Sequence, residues 1–127
     1  MSLEKVIFGF FIVLAMTLNF GFFIGEIDNP QHHHVYELFA AIVVNLIATV
    51  LKFGDRTQIG AIHLSTSLVA DLQLIVAAII WASTSGLTNT ADITTATVSI
   101  VSLSGGAFLA NVTSVILLIA ETIMLRR

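Results

Sequence analysis

Asp71 is the residue least suited to its surroundings and so the first candidate for chemistry. It stands near the middle of an apolar segment running from about Gln58 to Ser83, with Ser67 four residues and His63 eight residues before it. At the ~100° per residue of a helix, these three share a face with Gly60, Thr66, Ala70, Gln73 and Ala77. Leu68, Val69, Leu72, Ile75, Val76 and Ile79 take the opposite face, which makes the first face interior and the second lipid-facing. A carboxylate among hydroxyl and amide oxygens suits hard cations such as Na⁺, K⁺, Mg²⁺ or Ca²⁺. Carboxylate, hydroxyl and imidazole strung along one face also suit movement of a proton.

Three asparagines extend this set. Asn45 and Asn111 lie near the midpoints of two further apolar segments, and Asn19 lies in the outer half of a fourth. Read by depth alone, Asn45, Asp71 and Asn111 share one level, and helix bundling would bring them together. On the last segment Thr97, Ser104, Ala107, Asn111 and Ser114 share a face in the same way. The expected ion pathway or binding set is therefore Asp71, Asn45, Asn111, His63, Ser67 and Asn19. The competing reading makes these side chains glue between helices, worth about 0.6–2 kcal/mol apiece. Glu121, about a turn from the end of its helix, reads as an interfacial carboxylate near Arg126 or Arg56.

A second cluster lies outside the apolar segments. Glu26, Asp28, His32, His33, His34 and Glu37 fall within twelve residues. Glu26, Asp28 and Glu37 would form an outer vestibule that concentrates cations. His32, His33, His34 and Glu37 carry ligand types for Zn²⁺, Ni²⁺ or Cu²⁺, though not at a recognised zinc spacing, and an exposed loop explains them equally well. His protonation at an acidic outer face is a further option.

Other chemistries are excluded. The chain has no cysteine, hence neither disulfides nor thiolate metal sites. It contains no His-x-x-x-His or Glu-x-x-His zinc helix, no Gly-x-Ser-x-Gly elbow and no phosphate loop. His63, Ser67 and Asp71 have the residue types of a nucleophile triad, but one straight helix sets His63 and Asp71 ~12 Å apart with the serine between them. A triad needs the histidine in the middle. No catalytic residue and no enzymatic activity are expected.

The elements that must position these groups follow from composition. Of 127 residues, 57% are hydrophobic and 10% charged, with a mean hydropathy of +1.00. A soluble domain averages about 25% charged residues, so lipid is the solvent that suits this chain. A bilayer core ~30 Å thick needs roughly 20 apolar residues per helix. Four stretches qualify, at about 6–25, 36–53, 58–83 and 95–124. Asp28-Asn29-Pro30-Gln31 interrupts the chain after the first, and Ser83 to Thr95 reads as a polar loop before the last. The first stretch is too long for a signal-peptide core of about 7–15 residues and reads as a retained helix. The result is one all-α integral membrane domain over 1–127.

Lys5, Lys52, Arg56, Arg126 and Arg127 all fall on one side of this topology, whereas Glu26, Asp28, Glu37 and Asp92 fall on the other. Basic residues mark the cytoplasmic side, so both termini are expected inside, in a cytoplasmic (inner) type of membrane. The small net charge of −3 argues against nucleic acid as a partner. Gly21 to Gly25 and Gly106 to Ala110 have small-xxx-small spacing, which suits close helix packing. The second pair, with Ser102 and Thr113, predicts a face on the last helix for other copies. A homo-oligomer is expected, with an unidentified partner subunit as the other assembly. No cofactor is implied beyond a bound monovalent or divalent cation.

Val43-Val44-Asn45 and Ser65-Thr66-Ser67 are loosely similar to segments of the small fluoride channels. The glycine spacing and phenylalanine pattern of that family are missing, and the one-sided basic residues conflict with a dual-topology dimer. No family is assigned on these residues. The expected function is a small oligomeric cation channel or transporter centred on Asp71. The alternative is a non-transporting accessory or structural subunit.

Overall fold

The computed structural model describes residues 3–24, 35–55, 57–86 and 89–125. All regular structure among them is helical: α1 (Leu3–Phe23), α2 (Val35–Lys52), α3 (Gln58–Ser83) and α4 (Thr90–Leu125), with a 3-10 turn at Thr84–Gly86 before α4. Each of the four helices is long and apolar enough to cross a membrane. Glu26, Asp28, His32, His33, His34, Gly25, Arg56, Arg126 and Arg127 lie outside the described residues.

Three helices begin and end within a few residues of the expected limits. The fourth starts at Thr90 rather than about 95, because a stretch expected to be loop is its first turn. Asn89 caps it: the side-chain oxygen accepts from Ala91 N at 2.8 Å and its carbonyl accepts from Ile93 N at 3.1 Å. Asp92 then sits in the first turn, where the helix dipole favours a negative charge. The Ser/Thr/Asn-rich composition that suggested loop is also the composition of a good helix start. At α3, Thr57 performs the same task, its hydroxyl accepting from Gly60 N at 2.9 Å.

The helices form a ring in which α1 packs on α2 and α4, and α3 packs on α2 and α4. Neighbours run antiparallel. Lys5 at the start of α1 reaches Glu121 near the end of α4 at 3.2 Å, and Lys52 at the end of α2 lies over the Phe8 ring of α1 at 4.4 Å. Lys5 and Lys52 therefore gather at one end of the bundle, called the basic end below. Glu121, expected beside Arg126 or Arg56, takes Lys5 as its cation.

Polarity is inverted relative to a soluble bundle. Large apolar side chains such as Phe10, Val50, Leu72 and Leu109 are exposed, while eleven buried side chains among the described residues are polar or charged. Apolar packing is carried by Leu38, Leu74, Ile100 and Val101 near the middle and by Phe8, Ile12 and Ala48 toward the basic end.

Two glycines admit polar side chains between helices. The Glu37 carboxylate of α2 lies against Gly21 of α1, and the Gln73 amide of α3 lies against Gly106 of α4; a methyl at either position would collide with them. This corrects the expectation for Gly106. Its open face is filled by α3 of the same chain, because a long side chain at Gln73 reaches the space that a missing Cβ leaves.

Candidate functional site

Helical period alone sends the candidates inward. Asn19, Asn45, His63, Ser67 and Asn111 are buried, and Asp71 is 6% exposed. All four helices contribute. Thr49, Thr97, Ser104 and Ser114 are buried with them. Every residue of the predicted pathway set therefore faces the interior of one chain.

Direct bonds between helices are few. Thr49 Oγ1 of α2 lies 2.5 Å from Asp71 Oδ2 of α3. His63 Nδ1 of α3 shares a hydrogen bond with Ser114 Oγ of α4 at 2.7 Å. Ser104 of α4 donates to the Asn19 carbonyl of α1 at 3.4 Å. Side chains lean toward the N-terminus of their own helix, so on these antiparallel neighbours Thr49 leans away from the basic end and Asp71 toward it, which shortens the axial gap between them.

Asp71 does not bond to Asn45 or Asn111, as depth alone had suggested. Asn45 Nδ2 instead donates to the Ala41 carbonyl of its own helix at 2.8 Å. The contacts set a register that differs from the equal-depth reading. Ser114 is level with His63, and Asn111 lies three residues from Ser114, ~4.5 Å farther from the basic end. Ser67 lies ~6 Å from His63 in the same direction, so Asn111 stands beside Ser67 and short of Asp71. From the basic end the order is His63 and Ser114, Ser67 and Asn111, then Thr49, Asp71 and Asn45, then Asn19 and Ser104.

Most of this column is unpartnered. Asn19 Oδ1 and Nδ2, Asn111 Oδ1 and Nδ2, Asn45 Oδ1, Ser67 Oγ, Asp71 Oδ1 and His63 Nε2 are buried without a hydrogen-bond partner among the described residues. Ser67 shows how this arises. Its ordinary acceptor, the His63 carbonyl, already takes the Thr66 hydroxyl at 2.9 Å. Buried polar atoms ordinarily find partners, and an unmade bond costs about 1–3 kcal/mol. Eight such atoms, contributed by all four helices, stand inside the bundle without a partner among the described residues.

The basic end closes the column. Lys52 is 7% exposed, with its ammonium over the Phe8 ring and 3.5 Å from Asp55 Oδ2. Phe8 in turn meets the His63 ring edge-on, centroids 5.0 Å apart. A cavity of 670 Å³ opens here, lined by Glu4, Lys5, Phe8, Lys52 and Asp55 among others. Asp55 lies in the α2–α3 turn and accepts the Thr57 hydroxyl at 2.7 Å and its backbone N–H at 2.9 Å. Those two donors, with Lys52 adding to them, hold its carboxyl below the ordinary carboxylate range.

At the other end only Glu37 of the expected vestibule and metal group is described. Its carboxylate is turned onto Gly21 of α1. Among the described residues no three His, Cys, Asp or Glu side chains are grouped to hold a metal. Thr49 and Lys52 are the residues that sequence reasoning missed. Thr49 could have been found by reading α2 as α3 was read, since Ala41, Asn45, Ala48 and Thr49 share its inner face. In the sequence Lys52 marks only orientation, because its burial depends on the neighbouring Phe8.

Residues 32–122, from just before α2 to near the end of α4, match the model of a family described as a family of unknown function, DUF6394. No curated protein and no solved structure matches the chain. With that match covering most of its length and all but the first helix of the polar column, the chain belongs to the DUF6394 family.

Proposed function

We propose that this protein is a small membrane cation channel or transporter whose ion path runs through the bundle, with Asp71 as its central site. The observation that carries this reading is the column of buried, unpartnered polar atoms contributed by all four helices. Intramembrane acids are costly and are functional by default. The rival reading, polar glue, requires satisfied bonds between helices. Asn19 and Asn111 use neither side-chain atom in such a bond, which favours transport.

On this reading the basic end faces the cytoplasm, following the positive-inside rule, and both termini lie there. The path belongs to one chain. Further copies would cover parts of the apolar outer surface and leave the axis unchanged.

The test is flux in liposomes containing purified protein, with Na⁺, K⁺, Ca²⁺ and H⁺ supplied in turn. Flux of one cation that disappears in a folded Asp71→Asn variant is the expected result. Wild-type protein that moves none of the four would sink the transport reading and favour the structural one.

A further inference from the structure

We propose that the ion handled by this bundle is the proton, held on Asp71 as the carboxylic acid, with the Thr49 hydroxyl as a rotating partner that responds when the proton leaves. Movement of the proton rests on the transport reading above; its residence on Asp71 does not.

Thr49 Oγ1 carries one hydrogen and lies 2.9 Å from the Asn45 backbone carbonyl and 2.5 Å from Asp71 Oδ2. A carbonyl can only accept, and an ionised carboxylate can only accept. One hydroxyl hydrogen cannot make two good bonds in two directions. Both contacts are full hydrogen bonds when Asp71 supplies the second hydrogen. The chain then runs Asp71 Oδ2–H to Thr49 Oγ1, and Thr49 O–H to the Asn45 carbonyl. The 2.5 Å separation suits a carboxylate acceptor as well as a carboxylic acid donor, so it is the second contact, to the Asn45 carbonyl, that calls for the extra hydrogen.

The charged groups on the packed helices do not change this count. Glu4 and Lys5 of α1, Glu37 and Lys52 of α2, and Asp92 and Glu121 of α4 lie toward the helix ends, and none is bonded to Asp71. On its own helix, the ring of His63 is two turns away and is bonded to Ser114.

Loss of the proton has a defined local response. When H⁺ departs, the Asp71 O–H bond to Thr49 goes with it and Thr49 turns its own O–H from the Asn45 carbonyl to Oδ2, so two neutral bonds give way to one to a carboxylate, which is the stronger kind. The proton reaches its route by a half-turn of the carboxyl about Cβ–Cγ, which exchanges the two oxygens and carries the O–H from Thr49 to the side that Oδ1 faces. Asp71 Oδ1, Ser67 Oγ and His63 Nε2 are all unpartnered and step toward the basic end at four-residue intervals, ~6 Å each. One bridging water in each interval would complete a hydrogen-bonded line. His63 already uses Nδ1 on Ser114, which leaves Nε2 to meet that line. A proton needs only this continuity. A hard metal cation such as Ca²⁺ needs about six or more oxygens around it, and of the buried α3 residues beside Asp71 only Ser67, a turn away, offers a side-chain oxygen, while Ala70 and Leu74 offer none.

The deciding experiment joins infrared spectroscopy of the protein in lipid, with ¹³C-labelled aspartate, to proton uptake into liposomes driven by a K⁺ diffusion potential. At neutral pH the expected spectrum contains a protonated aspartic C=O band that shifts with the label and is absent in Asp71→Asn. Thr49→Val moves that band to higher frequency and slows proton uptake about tenfold, as for loss of one buried hydrogen bond. Thr49→Ser restores both. An ionised Asp71 at neutral pH, read on the labelled wild type with no variant needed, overturns the proposal whatever the flux. Flux of Na⁺, K⁺ or Ca²⁺ without proton uptake overturns it while leaving the transport reading intact. A protonated Asp71 with no flux of any ion overturns both the proton path and the transport reading.

Discussion

Replacing Asn111 by leucine and by alanine together separates an ion path from polar glue through the change in stability. Leucine keeps the branched heavy-atom skeleton of asparagine and removes its donors and acceptor. Asn111 is 1% exposed, and neither amide atom has a partner among the described residues, so the substitution deletes no protein hydrogen bond. Relief of the unmade bonds is worth up to about 1–3 kcal/mol, against which the added hydrogens press on a packed interior at a cost of about 1–3 kcal/mol. The two terms are of equal size, so the leucine variant is expected within about 2 kcal/mol of zero on either side, and only the alanine variant, free of crowding, isolates the amide. A glue residue predicts a loss in both variants, averaging about 0.6 and reaching about 1.7 kcal/mol. Reversible unfolding in mixed micelles with increasing SDS reads the difference, and proton or cation uptake by the same variant should collapse. Asn111→Ala, which removes the crowding, serves as the control. A loss above about 0.6 kcal/mol in both variants would refute the claim that the amide is unpartnered in the folded bundle.

Two further outcomes follow from the same structure. Asp55 has its carboxyl held below the ordinary range by the Thr57 hydroxyl and N–H, so its stabilisation of the α2–α3 turn is fully present above the unfolded carboxylate value of about 3.9 and is lost as pH falls through the lower folded value. Hydrogen exchange at the Thr57 and Gly60 amides should accelerate only in that acid window relative to the intrinsic rate, and Asp55→Asn should remove the pH dependence. Leu74 is fully buried in the central apolar cluster, so Leu74→Ala should destabilise the bundle by about 2–5 kcal/mol in the same unfolding titration. A smaller loss there would mean that the central apolar packing is looser than described.

The four spans, and the inner and outer faces of α3 and α4, were legible in the chain itself. The reason is that both depend on local quantities. A bilayer-length apolar run can be counted, and the ~100° period assigns each residue a face before any neighbour is known. That period sent Gly60, His63, Ser67, Ala70 and Asp71 inward and left Leu68, Leu72 and Ile79 outside, as the exposures have it. The start of α4 was not legible, because Asn89 and Asp92 serve a loop and a capped helix equally well until the backbone bonds are seen.

Tertiary structure alone decided which groups meet. Midpoint depth set Asp71 level with Asn45 and Asn111, but the axial offset between helices depends on how the α2–α3 turn closes and how Phe8, Lys52 and His63 stack at the basic end. That offset moved Asn111 beside Ser67 and brought Thr49 to Asp71. It also turned Glu37 onto Gly21, drew Glu121 to Lys5 and buried Lys52, none of which a helical wheel contains. Facing is a property of each helix, whereas register is a property of the assembled bundle.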